Sequence, residues 1–182
     1  KRLGNQSGIA STLHQMAILA QDQGEYDEAR CLYNESLEIK KRLGNQSGIA
    51  STSHELGRLA QAQGETDEAR RLYNESLEIK KRLGDQSGIA ITLHQLAILA
   101  QAQGEMEEAR RLYNESLEIA KRLGNQSGIA TTLHQLGRLV EIEGKYMEAS
   151  RLFHEALDIW ERLKSPDAAI ARRSLERIQG KA

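Results

Sequence analysis

Apolar and small residues recur at helical spacing along the whole chain. Within residues 47–64 their spacing of three, four and seven residues predicts an amphipathic helix rather than a strand. Gly64 ends this helix, since glycine readily adopts the left-handed conformation that follows a last helical turn. A second helix starts with acidic and ends with basic residues, which suits the helix macrodipole. We therefore expect helices over about 46–63 and 65–83. The apolar or small positions of the first are Ile49, Ala50, Leu56, Gly57 and Ala60.

This pair of helices returns every 40 residues without insertion. The block Lys-Arg-Leu-Gly-(Asn/Asp)-Gln-Ser-Gly-Ile-Ala begins at Lys1, Lys41, Lys81 and Lys121. One helix pair cannot bury its own apolar face, so neighbouring pairs must stack. The predicted segments are 1–4 as the tail of a preceding helix, repeats at 5–44, 45–84, 85–124 and 125–164, and a capping helix and tail at 165–182.

The repeat resembles the tetratricopeptide family, whose pattern is Leu-Gly, aromatic or small, Gly, Ala, aromatic, small. The 40-residue unit is similar to repeats in spindle-orientation adaptors, kinesin light chains and sensor regions of bacterial signal-transduction ATPases. The resemblance implies an all-α, right-handed α-solenoid of four stacked antiparallel helix pairs plus a C-terminal capping helix. It rests on Leu56-Gly57, Ala60, Gly64, Ala69, Tyr73 and Ser76, and on Leu136-Gly137, Gly144, Ala149, Phe153 and Ala156.

The chain departs from the family pattern at two points. No proline ends the repeats, and the usual aromatic residue near the start of the first helix is replaced by Leu13, Ser53, Leu93 or Leu133. Ser53 at this core position predicts a softer second repeat, because losing a buried leucine side chain typically costs about 2–5 kcal/mol. The aromatic residues at 33, 73, 113 and 153 are interpreted as core packing.

The period breaks after Leu163. Ser165 as cap and Pro166 at the first helical position predict a helix over 166–179 with a polar outer face, packed over Trp160. At the other end, the first repeat lacks a preceding partner, which predicts an exposed stacking face and possible end-to-end self-association.

Composition excludes several classes of partner. The net charge is −1, so no single-sign field would attract nucleic acid or anionic lipid. No apolar run approaches the roughly 18 residues of a membrane helix. Residues 1–20 lack the pattern of a signal peptide. Cys31 is the single cysteine and cannot form an internal disulfide, so the expected compartment is the cytoplasm.

In the family, the first helix of each repeat lines a concave groove, which implies a ligand-binding surface here. Sequence variation is concentrated on this helix, and it alternates isoleucine with arginine at one position. The predicted binding residues are Ser11, His14, Ile18 and Gln21; Ser51, His54, Arg58 and Gln61; Ile91, His94, Ile98 and Gln101; and Thr131, His134, Arg138 and Glu141.

Arg58 and Arg138 suggest a ligand with acidic groups. Two repeats apart, they are expected to be roughly 20 Å from each other, a span that an extended peptide of about six residues covers. The hypothesis is a peptide or disordered segment with carboxylates at the arginines and apolar side chains at Ile18 and Ile98. The alternative is that both arginines bridge to Glu55, Gln135 or Glu141 as solvated surface charges.

Four of the five histidines, His14, His54, His94 and His134, recur at the same position of each repeat and raise the question of a metal. Ligands of one zinc lie about 2.0–2.1 Å from the ion, whereas successive repeats are about 8–10 Å apart. We therefore expect no metal or cofactor, and inter-repeat hydrogen bonds from these histidines to Gln15, Glu55, Gln95 or Gln135. The Lys40-Lys41-Arg42 run is interpreted as helix-end charge, and Cys31 as a surface residue without a catalytic partner.

No catalytic motif is present: the sequence has no glycine-rich phosphate loop, no His-Glu-x-x-His and no Ser/His/Asp arrangement beyond chance. The sequence thus predicts a non-enzymatic protein-interaction scaffold that binds a peptide or protein segment. One alternative is a ligand-sensing regulatory domain of a larger signalling ATPase. Another is a chain designed for repeat stacking or self-assembly, with no ligand.

Overall fold

A computed structural model describes the backbone of residues 2–181 and the side chains of residues 5–181. Nine α-helices and no strand occur in this range. The predicted all-α repeat fold is confirmed. The helices are α1 (Arg2–Asp22), α2 (Tyr26–Arg42), α3 (Gln46–Ala62), α4 (Thr66–Leu83), α5 (Gln86–Ala102), α6 (Met106–Arg122), α7 (Gln126–Ile142), α8 (Tyr146–Arg162) and α9 (Ala168–Ile178).

The helices follow the predicted pattern to within a residue or two in the repeated part of the chain. Glycines with positive φ separate them, as at Gly64 (76°) and Gly84 (71°). The side chain of Asn45 accepts a hydrogen bond from the backbone N–H of Gly48 and so caps α3. Asp85, rather than Ser87, caps α5 in the same way.

Two corrections concern the ends of the chain. α1 begins at Arg2, so residues 2–4 are continuous with the first helix rather than the tail of another one; Lys1 lies outside the described residues. α9 begins at Ala168, later than predicted, because Pro166 and Asp167 form a turn in which the Ser165 hydroxyl accepts a hydrogen bond from the Asp167 N–H.

The chain divides into two compact units, Lys1–Gly88 and Ile89–Ala182. In the first unit, α1 packs on α2, α2 on α3 and α3 on α4. The Ser36 hydroxyl joins α2 to α1 through the carbonyl of Ala10, and Ser76 joins α4 to α3 through Ala50. The aromatic rings of Tyr33 and Tyr73 are fully buried, which confirms their predicted packing role.

In the second unit, α6 packs on α7, α7 on α8 and α8 on α9. Trp160 is buried, and its ring centroid lies 5.6 Å from that of His134 of α7. Arg172 of α9 pairs with Glu161 of α8 at 2.6 Å, so the last helix is held to its neighbour at the surface as well. No helix in the described part of the chain is long and apolar enough to span a membrane.

Candidate functional site

The predicted binding residues on the first helices of the repeats, α1, α3, α5 and α7, differ in how far they are exposed. Ser11, Ser51, Arg58, Ile91 and Arg138 are exposed. Nine further predicted residues are partly exposed, and three of these, Ile18, Ile98 and Thr131, are grouped here with the exposed ones. We call these eight residues the first-helix surface, and each unit carries its own half of them.

Both arginines of the first-helix surface have a partner within their own helix. The Arg58 guanidinium lies 2.9 Å from a carboxylate oxygen of Glu55, and Arg138 donates to the amide oxygen of Gln135 at 3.3 Å. The sequence left local bridging to Glu55 and Gln135 open as an alternative, and the structure contains it. Such exposed pairs contribute only about 0–1 kcal/mol, so both arginines remain available to a stronger acceptor.

The predicted residues Gln21, Gln61 and Gln101 each accept a hydrogen bond from a buried tyrosine. The three phenol oxygens lie 2.7–3.1 Å from the glutamine Oε1 atoms. Burial raises the pKa of each phenol above its usual range, so it stays a donor. These glutamines therefore orient the tyrosine at the edge of the core. The donors are Tyr33, Tyr73 and Tyr113.

The fourth repeat replaces this pair. Phe153 has no hydroxyl to donate, and Glu141 stands where the other repeats have glutamine. Glu141 instead accepts two hydrogen bonds from Arg177 of α9, at 2.7 and 2.6 Å. This bond with Arg177 holds the pKa of the Glu141 carboxyl below its usual range. Glu141 is thus a link to the last helix.

The four histidines pack against the aromatic residues rather than facing solvent. Their ring centroids lie 5.2–5.4 Å from those of the aromatic residue of the same repeat. His54 and His134 are only 6% exposed, which leaves them little surface for a ligand. The expected inter-repeat bonds exist, but to other partners: His14 to Thr52 at 3.2 Å, His94 to Thr132 at 3.2 Å, and His134 to Ser174 at 3.0 Å.

Burial keeps these imidazoles neutral. It lowers the pKa of His14, His94 and His134 to about 4 and that of His54 to about 3. A neutral imidazole could bind a metal, but no cluster of three or more His, Cys, Asp or Glu side chains suited to one occurs among the described residues. The histidines act here as packing and hydrogen-bonding groups.

The sequence correctly placed Lys40 in the last turn of α2 but did not indicate that its side chain is buried. It is only 6% exposed, and its ammonium donates to the Thr52 hydroxyl at 2.7 Å. Thr52 in turn donates to the carbonyl of Gly48 at 2.9 Å. Burial lowers the pKa of Lys40 and also that of Lys80, its equivalent one repeat later. One signal in the sequence pointed to a special role for this position: Lys40 and Lys80 are followed by Ala120 at the equivalent place in the third repeat.

Two cavities open in the second unit. One, of about 310 Å³, is lined by Arg138, Glu141, Ile142, Tyr146, Arg177 and Lys181. The other, of about 240 Å³, lies beside Ala120, His94 and Thr132, between α5, α6 and α7. The first includes two predicted binding residues, Arg138 and Glu141, and the second includes three, Ile91, His94 and Thr131.

Comparison with known proteins agrees with the repeat pattern. The family model for the tetratricopeptide repeat matches residues 8–82 and 88–162. The chain belongs to the tetratricopeptide repeat family. No curated protein sequence matches it.

Several solved structures share the fold. BtubC (BKLC) from P. vanneervenii superposes with a TM-score of 0.85 at 22% identity, over 97% of this chain and 74% of that one. A candidate kinesin light chain of Podospora anserina with nearly identical TPR-like repeats gives 0.77 at 22% identity, over 97% and 87%. A Rap protein in complex with Competence and Sporulation Factor gives 0.78 at 18% identity, over 90% of this chain and 46% of that one. At these identities the likeness concerns the fold.

Proposed function

We propose that this protein is an interaction scaffold whose first-helix surface binds a peptide or disordered segment with acidic and apolar side chains. The proposed role is binding without catalysis, in the cytoplasm. Tetratricopeptide scaffolds host many ligands, so family membership supports a binding role without naming the partner. The Rap protein of the same fold, which holds a bound factor, supports this role as well.

The cavity beside Arg138 carries the proposal. Arg138, Arg177 and Lys181 bring three cations to one opening, and Glu141 is the single carboxylate among its lining residues. An arginine fork matches a carboxylate in shape and charge. Ile142 lines the same cavity and is 59% exposed, so an apolar side chain of the ligand can pack beside the carboxylate.

An incoming carboxylate would have to displace the bond between Arg138 and Gln135. This bond is 3.3 Å long and joins a charged donor to a neutral amide. A charged acceptor forms a shorter bond that is roughly twice as strong. The exchange therefore favours an acidic ligand. At Arg58 the existing partner Glu55 is itself a carboxylate, so we expect Arg58 to contribute less than Arg138.

The test is a fluorescence anisotropy titration with a labelled, end-capped peptide of alternating glutamate and leucine. Arg138→Ala should weaken binding about 10-fold or more, because a hydrogen bond to a charged group contributes about 1.5–3 kcal/mol. The Arg58→Ala/Arg138→Ala variant should be weaker still. Arg151→Ala, an exposed arginine on α8, is the matched control and should bind as the wild type does. Unchanged affinity in the double variant would overturn the proposal.

A second proposal concerns self-association through α1. Met16 and Leu19 are 48% and 58% exposed, whereas their equivalents in α3, Leu56 and Leu59, are 6% and 0% exposed. α3 packs on the preceding second helix, α2, and we propose that α1 offers its corresponding face to a second copy of the chain. Sedimentation equilibrium should show a dimer that Met16→Glu/Leu19→Glu abolishes. A monomer at every concentration would contradict self-association without affecting the peptide proposal.

A further inference from the structure

The 240 Å³ cavity of the second unit occupies the place that a lysine side chain fills in the first unit. Ala120 lies 80 residues after Lys40, and the residues around the two positions match at the same interval. His14 corresponds to His94, and Thr52 to Thr132. The hydrogen bond between histidine Nδ1 and threonine Oγ1 is 3.2 Å long in both places. The lysine has no counterpart, and two other lining residues differ: Ile91 replaces Ser11, and Thr131 replaces Ser51.

Contacts at the neighbouring glycines show how the lysine fills this space. A Cβ atom added to Gly48 would lie 3.0 Å from Cδ of Lys40, so the lysine stem runs along the start of α3. The three heavy atoms nearest to a Cβ atom added at Gly128 all belong to Asn125, at 2.7–3.4 Å, and none belongs to residue 120. The stem of Lys40 therefore marks a channel that is open beside Gly128 and Ala120.

We propose that this cavity binds a primary alkylammonium group on a chain of about four carbons, with the ammonium donating to Thr132 Oγ1. In the first unit the same hydroxyl position, Thr52 Oγ1, accepts the Lys40 ammonium at 2.7 Å. Thr132 is 2% exposed, so its hydroxyl is a buried acceptor and not a surface group. The cavity is smaller than the roughly 300–1,000 Å³ of sites for drug-sized ligands, which suits a single amine.

An anion fits this place less well, although α7 begins here. The N–H of Gly128 already donates to the Asn125 side chain at 3.0 Å, and the Ser116 hydroxyl donates to the carbonyl of Ala90 at 2.8 Å. The cavity also lies at the C-terminal end of α6, where the helix dipole favours a cation. Two sources share the proposed chemistry, a free alkylamine and a lysine side chain of a bound segment. The second source rests on the proposed function.

The experiment is an NMR titration of the full chain with n-butylammonium chloride, following the backbone amides of Ala120, Gly128 and Thr132. We expect saturable shifts with a dissociation constant on the order of millimolar, given the few atoms of the ligand. Butyltrimethylammonium, which has no N–H donor, should give no saturable shift at these amides. A parallel titration with Nα-acetyl-lysine methylamide distinguishes the two sources. Saturable shifts with this compound assign the site to a lysine side chain. Saturable shifts with butylammonium alone assign the site to free amines.

Four variants decide the outcome. Ala120→Lys restores the side chain of the first unit and should abolish binding, and Thr132→Val should weaken it at least 10-fold while keeping the side-chain shape. Lys40→Ala should create a second saturable site near Thr52. Arg138→Ala should bind butylammonium normally, which separates this inference from the acidic-peptide proposal. Absence of saturable shifts in the wild type, or undiminished binding by Ala120→Lys, would overturn it.

Discussion

Repeats 2 and 4 share a glycine–arginine pair on their first helix but treat the edge of the core differently. In repeat 2, Gln61 accepts a hydrogen bond from Tyr73 at 2.7 Å, so this bond stays within one repeat. In repeat 4, Phe153 needs no partner, and Glu141 reaches Arg177 of the last helix. Two sequence differences, Phe153 in place of tyrosine and Glu141 in place of glutamine, thus turn a bond within the repeat into an attachment for the last helix.

The histidines of both repeats predict the largest effect, an acid-induced loss of stability. The folded-state pKa is about 3 for His54 and about 4 for His134, below the usual 6.5. The unfolded chain therefore binds more protons between these values, and stability present above pH 6.5 is lost as the pH falls toward 4. Each histidine contributes at most about 1.4 kcal/mol per pH unit, and less where water reaches the ring.

Urea titrations at pH 7.5, 6.0 and 5.0 would measure this effect as a falling free energy of unfolding. His134→Gln, whose amide can still bond to Ser174, should reduce the slope. A free energy of unfolding that is flat between pH 7.5 and 5.0 would show that the rings are not buried in neutral form.

Ser53→Leu tests the core of repeat 2 against that of repeat 4. Ser53 is fully buried and its hydroxyl has no hydrogen-bond partner, whereas its equivalent in repeat 4 is the buried Leu133. Removing the unpaired hydroxyl and adding apolar contact should raise the free energy of unfolding by about 1–3 kcal/mol. Thermal denaturation measures it. Ser53→Ala is the control and should give a smaller gain; a lower melting temperature for Ser53→Leu would mean that the site has no room.

Glu141→Gln tests the attachment of α9. The Arg177 side chain is 49% exposed, so solvent screens the pair and its loss should cost about 0.5 kcal/mol and at most about 1 kcal/mol. Hydrogen exchange should show faster exchange of the α9 amides. Glu155→Gln removes an exposed partner of Arg151 within α8 and should leave α9 unchanged. Equal protection of α9 in Glu141→Gln and wild type would reject the attachment role.

Lys164→Gly tests the smallest difference, at the end of the second helix. Gly84 has φ of 71° at the end of repeat 2, and Lys164 adopts φ of 53° at the equivalent place in repeat 4. A side chain in this left-handed region costs about 1 kcal/mol, part of which the greater freedom of unfolded glycine offsets. We expect a gain of about 0.5 kcal/mol in a urea titration. Lys164→Ala should give no gain, since alanine also carries a Cβ atom.

The fold could be predicted from the sequence because the 40-residue period and its glycines determine where each helix begins and ends. The start of α9 was less accurate, since Pro166 and Asp167 entered a turn that the helix-start rule does not distinguish from a first helical turn. This error is local and does not change the prediction of an all-α repeat fold.

The candidate site was predicted less completely. The helical spacing correctly put Arg58 and Arg138 at the surface. Both lie opposite the apolar positions of their own helix, so the period of that helix is enough to predict their exposure. The same spacing put His54 on the exposed face. This position lies at the border between the polar and apolar faces of the helix, where packing of the neighbouring helices determines whether a residue is buried. The burial of Lys40 likewise depends on the next helix pair, which supplies Thr52 as its acceptor.

An NMR map of where the glutamate–leucine peptide binds tests directly whether the first-helix surface is the binding site. We expect the shifted amides to concentrate on α3 and α7 around Arg58 and Arg138, and near Ile142 and Arg177, with the outer faces of α4 and α8 unchanged. Shifts confined to the second helices, or spread evenly over the chain, would contradict a binding site on the first-helix surface.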